Sequence, residues 1–359
     1  MGMKAISVGS ASEQVRQKRL EAAIKVVQAA NDLGAEMILL TGDVFEDNAV
    51  DRTMVRKTGE ILKSFKGPVY IIPGNHDPLV PGSVWEHSVW TEATNITVIR
   101  KSEPIELPGC ILYPCPLKEK YSTRNPTLWI DAKANEKISI GLAHGNVEGI
   151  ATDADYPIAR DAAQQLGLDY LAVGHWHSFA RYDDSSGVCR MAYSGTHETT
   201  KFGERESGSA ILVEIPNRGG APKLTPIKTG GLRWGIISFN IDQANAIQRL
   251  FTQLEEIENP KEALVRVDLT GMFFPEDRGA LQKLDEILTT RFLFGALNSS
   301  GLLAAPENDT WLESLPTGHY REAALKLLGK AKEALNPQDR IVATHALLHL
   351  FELQERSKA

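Results

Sequence analysis

The chain has 359 residues, of which 42% are hydrophobic and 24% are charged, and its formal net charge is -7. This composition is that of a soluble globular protein, and the length predicts one large and one small domain. No apolar run reaches the roughly 20 residues of a membrane span. A protein that coats DNA would be basic, so the charge argues against tight passive binding to nucleic acid. It leaves open an acidic enzyme whose metal ions and local Arg or Lys side chains neutralise phosphates.

The N-terminus and the cysteines indicate the cellular compartment. Residues 1–10 lack the apolar core and the basic flank of a signal peptide. Cys110, Cys115 and Cys189 show no metal-type CxxC spacing, and three is an odd number for a disulfide framework. We therefore expect reduced thiols in a cytoplasmic protein that does not associate with membranes.

Two strand–turn–helix units are predicted in the first hundred residues. Apolar residues recur at helical spacing from residue 12 to 33, and Gly34 is a candidate stop for this helix. The short apolar runs 37–40 and 69–72 predict buried strands, and the amphipathic run 52–66 between them predicts a second helix. A polar turn follows each strand at once, which indicates a β-α-β arrangement.

After residue 95 the pattern becomes strand-rich, with one clear helix at about 157–166. The strand-like runs are 96–100, 104–107, 110–113, 138–143, 169–173, 190–193 and 209–215. Strand-rich segments around two β-α units favour an α/β (α+β) fold, a two-layer β-sandwich flanked by helices.

The domain boundaries follow from a candidate linker near residues 229–231. We predict a main domain over 1–230, a smaller α+β capping domain over 231–318 and two C-terminal helices over 319–359. The elements predicted after the linker are a strand at 264–269 and helices at 276–290, 320–333 and 337–356.

Polar residues sit at the ends of predicted strands in five places. These are Gly42-Asp43, Gly74-Asn75-His76-Asp77, His144-Gly145, Gly174-His175-Trp176-His177 and Ser194-Gly195-Thr196-His197. Since strand ends converge on one edge of a sheet, these side chains can meet in space. A hard divalent cation takes carboxylate, amide oxygen and imidazole ligands. The candidate ligands are Asp43, Asn75, His144 and His175.

Each of these motifs alone is weak evidence for a metal site. A lone His144 is more often a core or surface histidine than a ligand. His175 and His177 are two positions apart, so on an extended strand they share one face. All the pieces occurring together in this order favour a metal site over coincidence.

The order Gly-Asp, Gly-Asn-His-Asp, His-Gly, Gly-His-x-His resembles that of the calcineurin-like metallophosphoesterases. Within that superfamily, the segments 41–46 and 193–196 are similar to SbcD-type nucleases, which are subunits of DNA-repair complexes. The resemblance covers residues 12–230 well and the remainder loosely. It implies an exonuclease or endonuclease that hydrolyses DNA phosphodiesters by in-line attack. Two manganese ions, about 3.5–4 Å apart, would hold the attacking and leaving oxygens.

The resemblance also implies a role for each metal ligand. Asp43 would bridge the two ions. Asn75, His144 and His175 would complete the shell of the second ion, and His177 would bind the first ion.

Further residues are implied in catalysis or in substrate binding. His76 would stabilise the phosphate transition state or protonate the leaving oxygen, and Asp77 would hold the His76 imidazole. Arg52, shortly after Gly-Asp, is a candidate contact for DNA phosphate, although a solvated helix face is the simpler interpretation. His197 is a candidate substrate contact, the alternative being a polar loop residue.

One motif of the family is missing. Its first strand ends in Asp-x-His or Asp-x-Gln, whereas this chain has no Asp before Asp32 and no His before His76. Either the chain starts too late, with residues 2–4 resembling the continuation of that motif, or residues 4–8 form a degenerate first strand. We favour the first explanation. Under both explanations the second metal site has all of its implied ligands, whereas the first keeps only Asp43 and His177. We therefore expect severely reduced nuclease activity, which addition of the upstream strand with its motif should restore.

The expected partners are DNA, an SbcC-type SMC-like ATPase and a second copy of the chain in a homodimer. The two final helices are the candidate contact for the ATPase, and the alternative is that they pack on the small domain. Two other functions stay open. One is a phosphodiesterase or phosphatase for a small substrate such as a cyclic nucleotide, and the other is a catalytically silent scaffold partner.

Overall fold

A computed structural model describes residues 6–149, 155–306 and 308–358. The chain divides into two compact units, Met1–Leu232 and Arg233–Ala359. The helices of the described residues are α1 (Ser12–Asp32), α2 (Arg52–Lys63), α3 (Val89–Glu92), α4 (Ala162–Leu166), α5 (Ile247–Glu255), α6 (Arg278–Arg291), α7 (His319–Glu333) and α8 (Pro337–Lys358).

The strands of the first unit carry all the predicted motifs. They are β1 (Ile38–Thr41), β2 (Val69–Ile72), β3 (Ile96–Val98), β4 (Ile105–Glu106), β5 (Cys110–Pro114), β6 (Ile138–His144), β7 (Asn146–Val147), β8 (Pro157–Ile158), β9 (Tyr170–Gly174), β10 (Ala180–Asp183), β11 (Cys189–Tyr193), β12 (Ser209–Glu214) and β13 (Lys223–Lys228). Those of the second unit are β14 (Arg233–Ile241), β15 (Ala263–Phe273) and β16 (Phe294–Ala304).

Two sheets form the centre of the first unit. One has the order β1-β2-β3 with parallel pairing, and the other has the order β10-β11-β9-β6-β5-β4 with four parallel strands in the middle. Ile72 of the first sheet packs with Leu112 and Leu142 of the second. Helical residues such as Val27 and Val55 cover the outer face of the first sheet. The predicted α/β fold, a two-layer sandwich flanked by helices, is confirmed.

Strand β2, which leads to the Gly-Asn-His-Asp turn, is buried because α-helices cover one face of its sheet and the second sheet covers the other. In β2, the side chains of Val69, Ile71 and Ile72 are fully buried. Parallel pairing of β1 with β2, in register from Ile38 opposite Val69, brings their carboxyl ends to the same edge. The polar turns that follow both strands therefore lie side by side.

The second unit has a β-α-β-α-β order. Its three strands pair in parallel in the order β14-β15-β16, and α5 and α6 connect them. Leu250, Val267 and Leu284 lie in its core. In a separate cluster, Ala324 of α7 packs with Leu347 of α8. Among the described residues, no helix combines the length and the apolar character needed to cross a bilayer.

Two predicted elements differ from the structure. The predicted helix over 157–166 begins at Ala162, because Pro157 and Ile158 pair in parallel with β7 and form β8 instead. Residues 6–8 belong to a 3-10 helix rather than to a strand. The rest of the predicted 4–8 strand lies outside the described residues.

Candidate metal centre

Four predicted ligands meet at the carboxyl ends of β1, β2, β6 and β9. Ligand atoms of Asp43, His144 and His175 all lie within 4.8 Å of one another. The Asn75 amide oxygen joins them, with its Oδ1 at 2.9 Å from His144 Nε2 and 3.4 Å from His175 Nδ1. Residues separated by more than one hundred positions in the sequence thus form one cluster.

The buried His144 ring shows that the cluster fits a cation. His144 Nδ1 lies 2.7 Å from the Thr41 carbonyl oxygen, so Nδ1 carries a proton and donates it. In the neutral ring, the Nε2 lone pair then faces Asn75 Oδ1 at 2.9 Å and Asp43 Oδ2 at 3.2 Å. A lone pair and two oxygens repel one another unless a proton or a metal ion lies between them.

The protonation states of His144 and Asp43 follow from the same electrostatics. Burial lowers the pKa of His144, but the Asp43 carboxylate outweighs burial and the pKa lies above its ordinary value. Burial likewise raises the pKa of Asp43, but His144 and the His76 N–H outweigh it and hold the pKa well below its usual range. The site therefore favours positive charge beside an ionised carboxylate, which a divalent ion satisfies with the same four ligands.

Asp155 orients the amide ligand. Asn75 is 4% exposed, and its Nδ2 donates to Asp155 Oδ2 at 3.3 Å. The other oxygen of Asp155 accepts a hydrogen bond from the Ser122 N–H at 3.0 Å. This arrangement turns Asn75 Oδ1 toward the histidines. Asp155 belongs to no strand-end motif, so the sequence pattern does not predict its role.

Asp43 has a left-handed backbone conformation, with φ of 53°. Its Oδ1 accepts a hydrogen bond from the His76 N–H at 2.9 Å, while Oδ2 faces His144. A Cβ atom on Gly74 would lie 2.3 Å from Asp43 Oδ1 and 2.4 Å from its backbone nitrogen. The glycine of the Gly-Asn-His-Asp motif is therefore required by the close approach of the two turns.

Asp77 acts differently from its predicted role. Its carboxylate accepts hydrogen bonds from the N–H groups of Asp43 at 3.2 Å, Phe45 at 2.9 Å and Gly74 at 2.7 Å. The expected contact with the His76 imidazole is not formed. Burial, reinforced by the nearby Asp43, raises the pKa of Asp77 to about 6. Asp77 instead ties the turn after β1 to the turn after β2, which fixes the backbone of the site.

The His76 side chain is 42% exposed and lines the same cavity as Asp43. Its Nδ1 donates to the Glu46 carbonyl oxygen at 3.0 Å. Its backbone is held by Asp43, as described above. The ring is thus anchored through one nitrogen and accessible through the other.

His177 lines this cavity, whose volume is about 1680 Å³, but its nitrogens lie outside the cluster of Asp43, His144 and His175. Its Nδ1 lies 2.7 Å from Glu204 Oε1. Burial raises the pKa of Glu204, but the His177 ring and Thr200 outweigh burial and the pKa lies below its ordinary value. Glu204 is therefore a carboxylate, and no strand-end motif pointed to it.

The two predicted substrate contacts lie in different surroundings. Arg52 is exposed at the start of α2 and is not among the side chains that line the cavity. His197 lines the cavity, and its Nε2 donates to the Arg19 carbonyl oxygen at 3.0 Å. Burial lowers the pKa of His197 to about 4, so the ring is neutral at pH 7 and joins its loop to α1. Contacts of either residue with substrate stay predictions.

The comparison with protein families agrees with this geometry. Residues 16–179 match the family model of the calcineurin-like phosphoesterases. This segment of the chain is therefore similar to the calcineurin-like phosphoesterase domain, a type of domain that hydrolyses phosphoesters with the help of metal ions. The match supports the predicted superfamily, hydrolase class and metal dependence.

A solved structure is also similar to part of the chain. It is the crystal structure of TT1561 of Thermus thermophilus, with 14% sequence identity and a TM-score of 0.38. The match covers 58% of this chain and 94% of that one. No curated protein sequence matches the chain.

Proposed function

We propose that this chain is a manganese-dependent DNA nuclease, the SbcD-type subunit of a DNA-repair complex. One observation supports the proposal that the chain hydrolyses phosphodiesters. Four ligand side chains converge beside the accessible His76, namely Asp43, Asn75, His144 and His175. These four residues would hold a divalent ion, which would supply positive charge to phosphate oxygens and acidify a bound water. Manganese is the ion that the sequence resemblance implies.

His76 is the residue placed to act on the substrate. Its Nδ1–H is engaged by the Glu46 carbonyl oxygen, so Nε2 is the nitrogen that can meet a phosphodiester. In its protonated form, Nε2 donates to a phosphate oxygen or to the leaving oxygen. Because the His76 N–H is bonded to Asp43 Oδ1, the position of the ring is coupled to that of the metal ligand.

DNA is the proposed substrate because segments 41–46 and 193–196 are similar to the SbcD branch. The second unit, Arg233–Ala359, also supports a large substrate, since a small phosphodiester does not need a second folded unit of this size. Arg52, exposed on α2, is the proposed phosphate contact at the edge of the first unit.

The test is a substrate panel with Mn²⁺ that contains linear and hairpin DNA, a cyclic nucleotide and bis-p-nitrophenyl phosphate. We expect slow cleavage of DNA, since the first metal site lacks part of its ligand set, and no cleavage by Asp43→Asn or His144→Ala. Hydrolysis of the cyclic nucleotide without DNA cleavage would refute the nuclease assignment. Full metal binding without hydrolysis of any substrate would favour the scaffold function.

For the ATPase partner, we propose a docking surface on α7 and α8. Leu325, Ile341 and Val342 are large apolar side chains that are 49%, 48% and 58% exposed. Exposed apolar patches are common at protein interfaces. Size-exclusion chromatography with an SbcC-type ATPase should show a complex that is lost when Ile341 and Val342 are changed to Glu. Co-elution that is unchanged by these substitutions would place the contact elsewhere.

A further inference from the structure

A carboxylate outside the strand-end motifs holds the ring of His177. The Glu204 side chain is 2% exposed, and its Oε1 lies 2.7 Å from His177 Nδ1. The His177 side chain is 34% exposed and lines the cavity that also contains Asp43. One edge of the ring is thus anchored by a buried group, while the ring as a whole stays accessible from the cavity.

Glu204 is itself fixed on both oxygens. Its Oε2 accepts a hydrogen bond from the Thr200 N–H at 2.7 Å, and its Oε1 accepts one from Thr200 Oγ1 at 2.5 Å. The next residue, Arg205, donates its N–H to Ser178 Oγ at 3.0 Å, which joins the loop to the residue after His177. The carboxylate therefore has little freedom to follow a different orientation of the ring.

This contact selects one form of the imidazole. A carboxylate accepts hydrogen bonds and does not donate them, so the proton of the neutral His177 ring lies on Nδ1. The lone pair then lies on Nε2, for which no hydrogen-bond partner occurs among the described residues. Metal ions bind imidazole through this lone pair, and a bonded carboxylate on the other nitrogen both orients the ring and increases its basicity.

We propose that Glu204 is the positioning residue of His177 and fixes the ring in the form that presents Nε2 as a metal ligand. The proposal rests on the proposed function in so far as His177 is taken as a ligand of the metal centre. Glu204 does not touch substrate in this assignment, and its effect passes through the ring of His177.

A first experiment uses the metal-free protein. With ¹⁵N-labelled histidine, long-range ¹H–¹⁵N NMR spectra distinguish rings protonated on Nδ1 from those protonated on Nε2, and His177→Gln assigns the signal. We expect the Nδ1–H form in the unmodified protein and a mixture of both forms in Glu204→Ala. Glu204→Gln keeps the shape of the side chain and reports the same change if Glu204→Ala disturbs the loop. Glu206→Ala, an exposed residue of the same loop, is the matched control and should leave the ring unchanged.

A second experiment measures Mn²⁺ affinity by titration calorimetry. Loss of such a bonded partner weakens metal binding by about 10–100-fold. We expect this change in Glu204→Ala, and none in Glu206→Ala, in the weaker Mn²⁺ binding step, which belongs to the first site and its ligands Asp43 and His177. In a His177→Ala background, Glu204→Ala should have no further effect, since Glu204 acts through the ring. Unchanged ring form, unchanged affinity or additive effects of the two substitutions would each overturn the proposal. Neither measurement uses DNA. Failure of the protein to cut DNA would therefore refute the nuclease assignment without affecting the proposal that Glu204 positions His177.

Discussion

The side chain of Asn75 donates from Nδ2 to Asp155 Oδ2 at 3.3 Å, and this bond directs Asn75 Oδ1 toward the Nε2 atom of His144. Without Asp155, the amide could rotate and present its NH₂ group to the histidines, which a metal ion cannot use as a ligand. The two residues are 80 positions apart in the sequence. The amide ligand is thus functional only through a residue on a different segment.

Asp155→Ala should therefore weaken Mn²⁺ binding by about 10–100-fold, the usual effect of removing a residue that orients a ligand. Titration calorimetry measures the change. Asp131→Ala is a suitable control, since Asp131 is exposed and bonds locally to the Lys133 N–H. Equal metal affinity in Asp155→Ala and the unmodified protein would contradict this role.

His76→Ala should separate chemistry from metal binding. His76 is expected to give or share a proton on the substrate, so kcat should fall by roughly 10²–10⁴-fold. The four ligand side chains and the His76 N–H that holds Asp43 are untouched, so Mn²⁺ affinity should be close to that of the unmodified protein. His319→Ala, on an exposed residue of the second unit, serves as the control. A parallel loss of metal affinity and rate would show that the His76 side chain supports the metal site rather than the chemical step.

Gly74→Ala should damage the site through its backbone. The added Cβ atom would lie 2.3 Å from Asp43 Oδ1, so the turn after β1 must move away from the turn after β2. We expect a loss of about 1–3 kcal/mol in the free energy of unfolding and a marked loss of metal affinity. Chemical denaturation and calorimetry measure the two effects. In the control Gly231→Ala, the added Cβ would lie 4.0 Å from Lys25 Nζ, so little change is expected.

The pH dependence of stability should contain a contribution from His197. Its pKa is lowered from 6.5 to about 4 in the folded state, so below pH 6.5 the unfolded chain takes up a proton that the folded protein does not. The contribution of His197 to the free energy of unfolding is therefore fully present above pH 6.5, and it is lost as the pH decreases toward 4. Because His197 keeps part of its surface exposed, we expect a loss of at most about 2 kcal/mol between pH 7 and 5.

The variant His197→Gln tests this prediction, since glutamine can donate to the Arg19 carbonyl oxygen but does not titrate. Urea denaturation at a series of pH values should give a flatter curve for the variant than for the unmodified protein. Two parallel curves would show that His197 does not cause the pH dependence.

The sequence predicted the two central β-α units closely because their signals are local. The apolar run 69–72 coincides with β2, and the run from 12 to 33 differs from α1 by one residue. Strand β14 and helix α5 of the second unit were not predicted, although the buried residues Ile247, Leu250 and Leu254 of α5 recur at helical spacing. The helix expected over 157–166 was shortened by strand pairing, a contact that periodicity does not record.

By itself, the sequence determined which residues can serve as ligands. Asp43, Asn75, His144 and His175 stand at the ends of apolar runs, and the ends of neighbouring parallel strands meet whatever the details of packing. Only the tertiary structure decided which residues orient them. Asp77 and Asp155 act through hydrogen bonds that join segments 34 and 80 positions apart, and Glu204 reaches His177 across 27 positions. Such contacts depend on how loops pack, and a loop has neither the period of a helix nor that of a strand to predict its place.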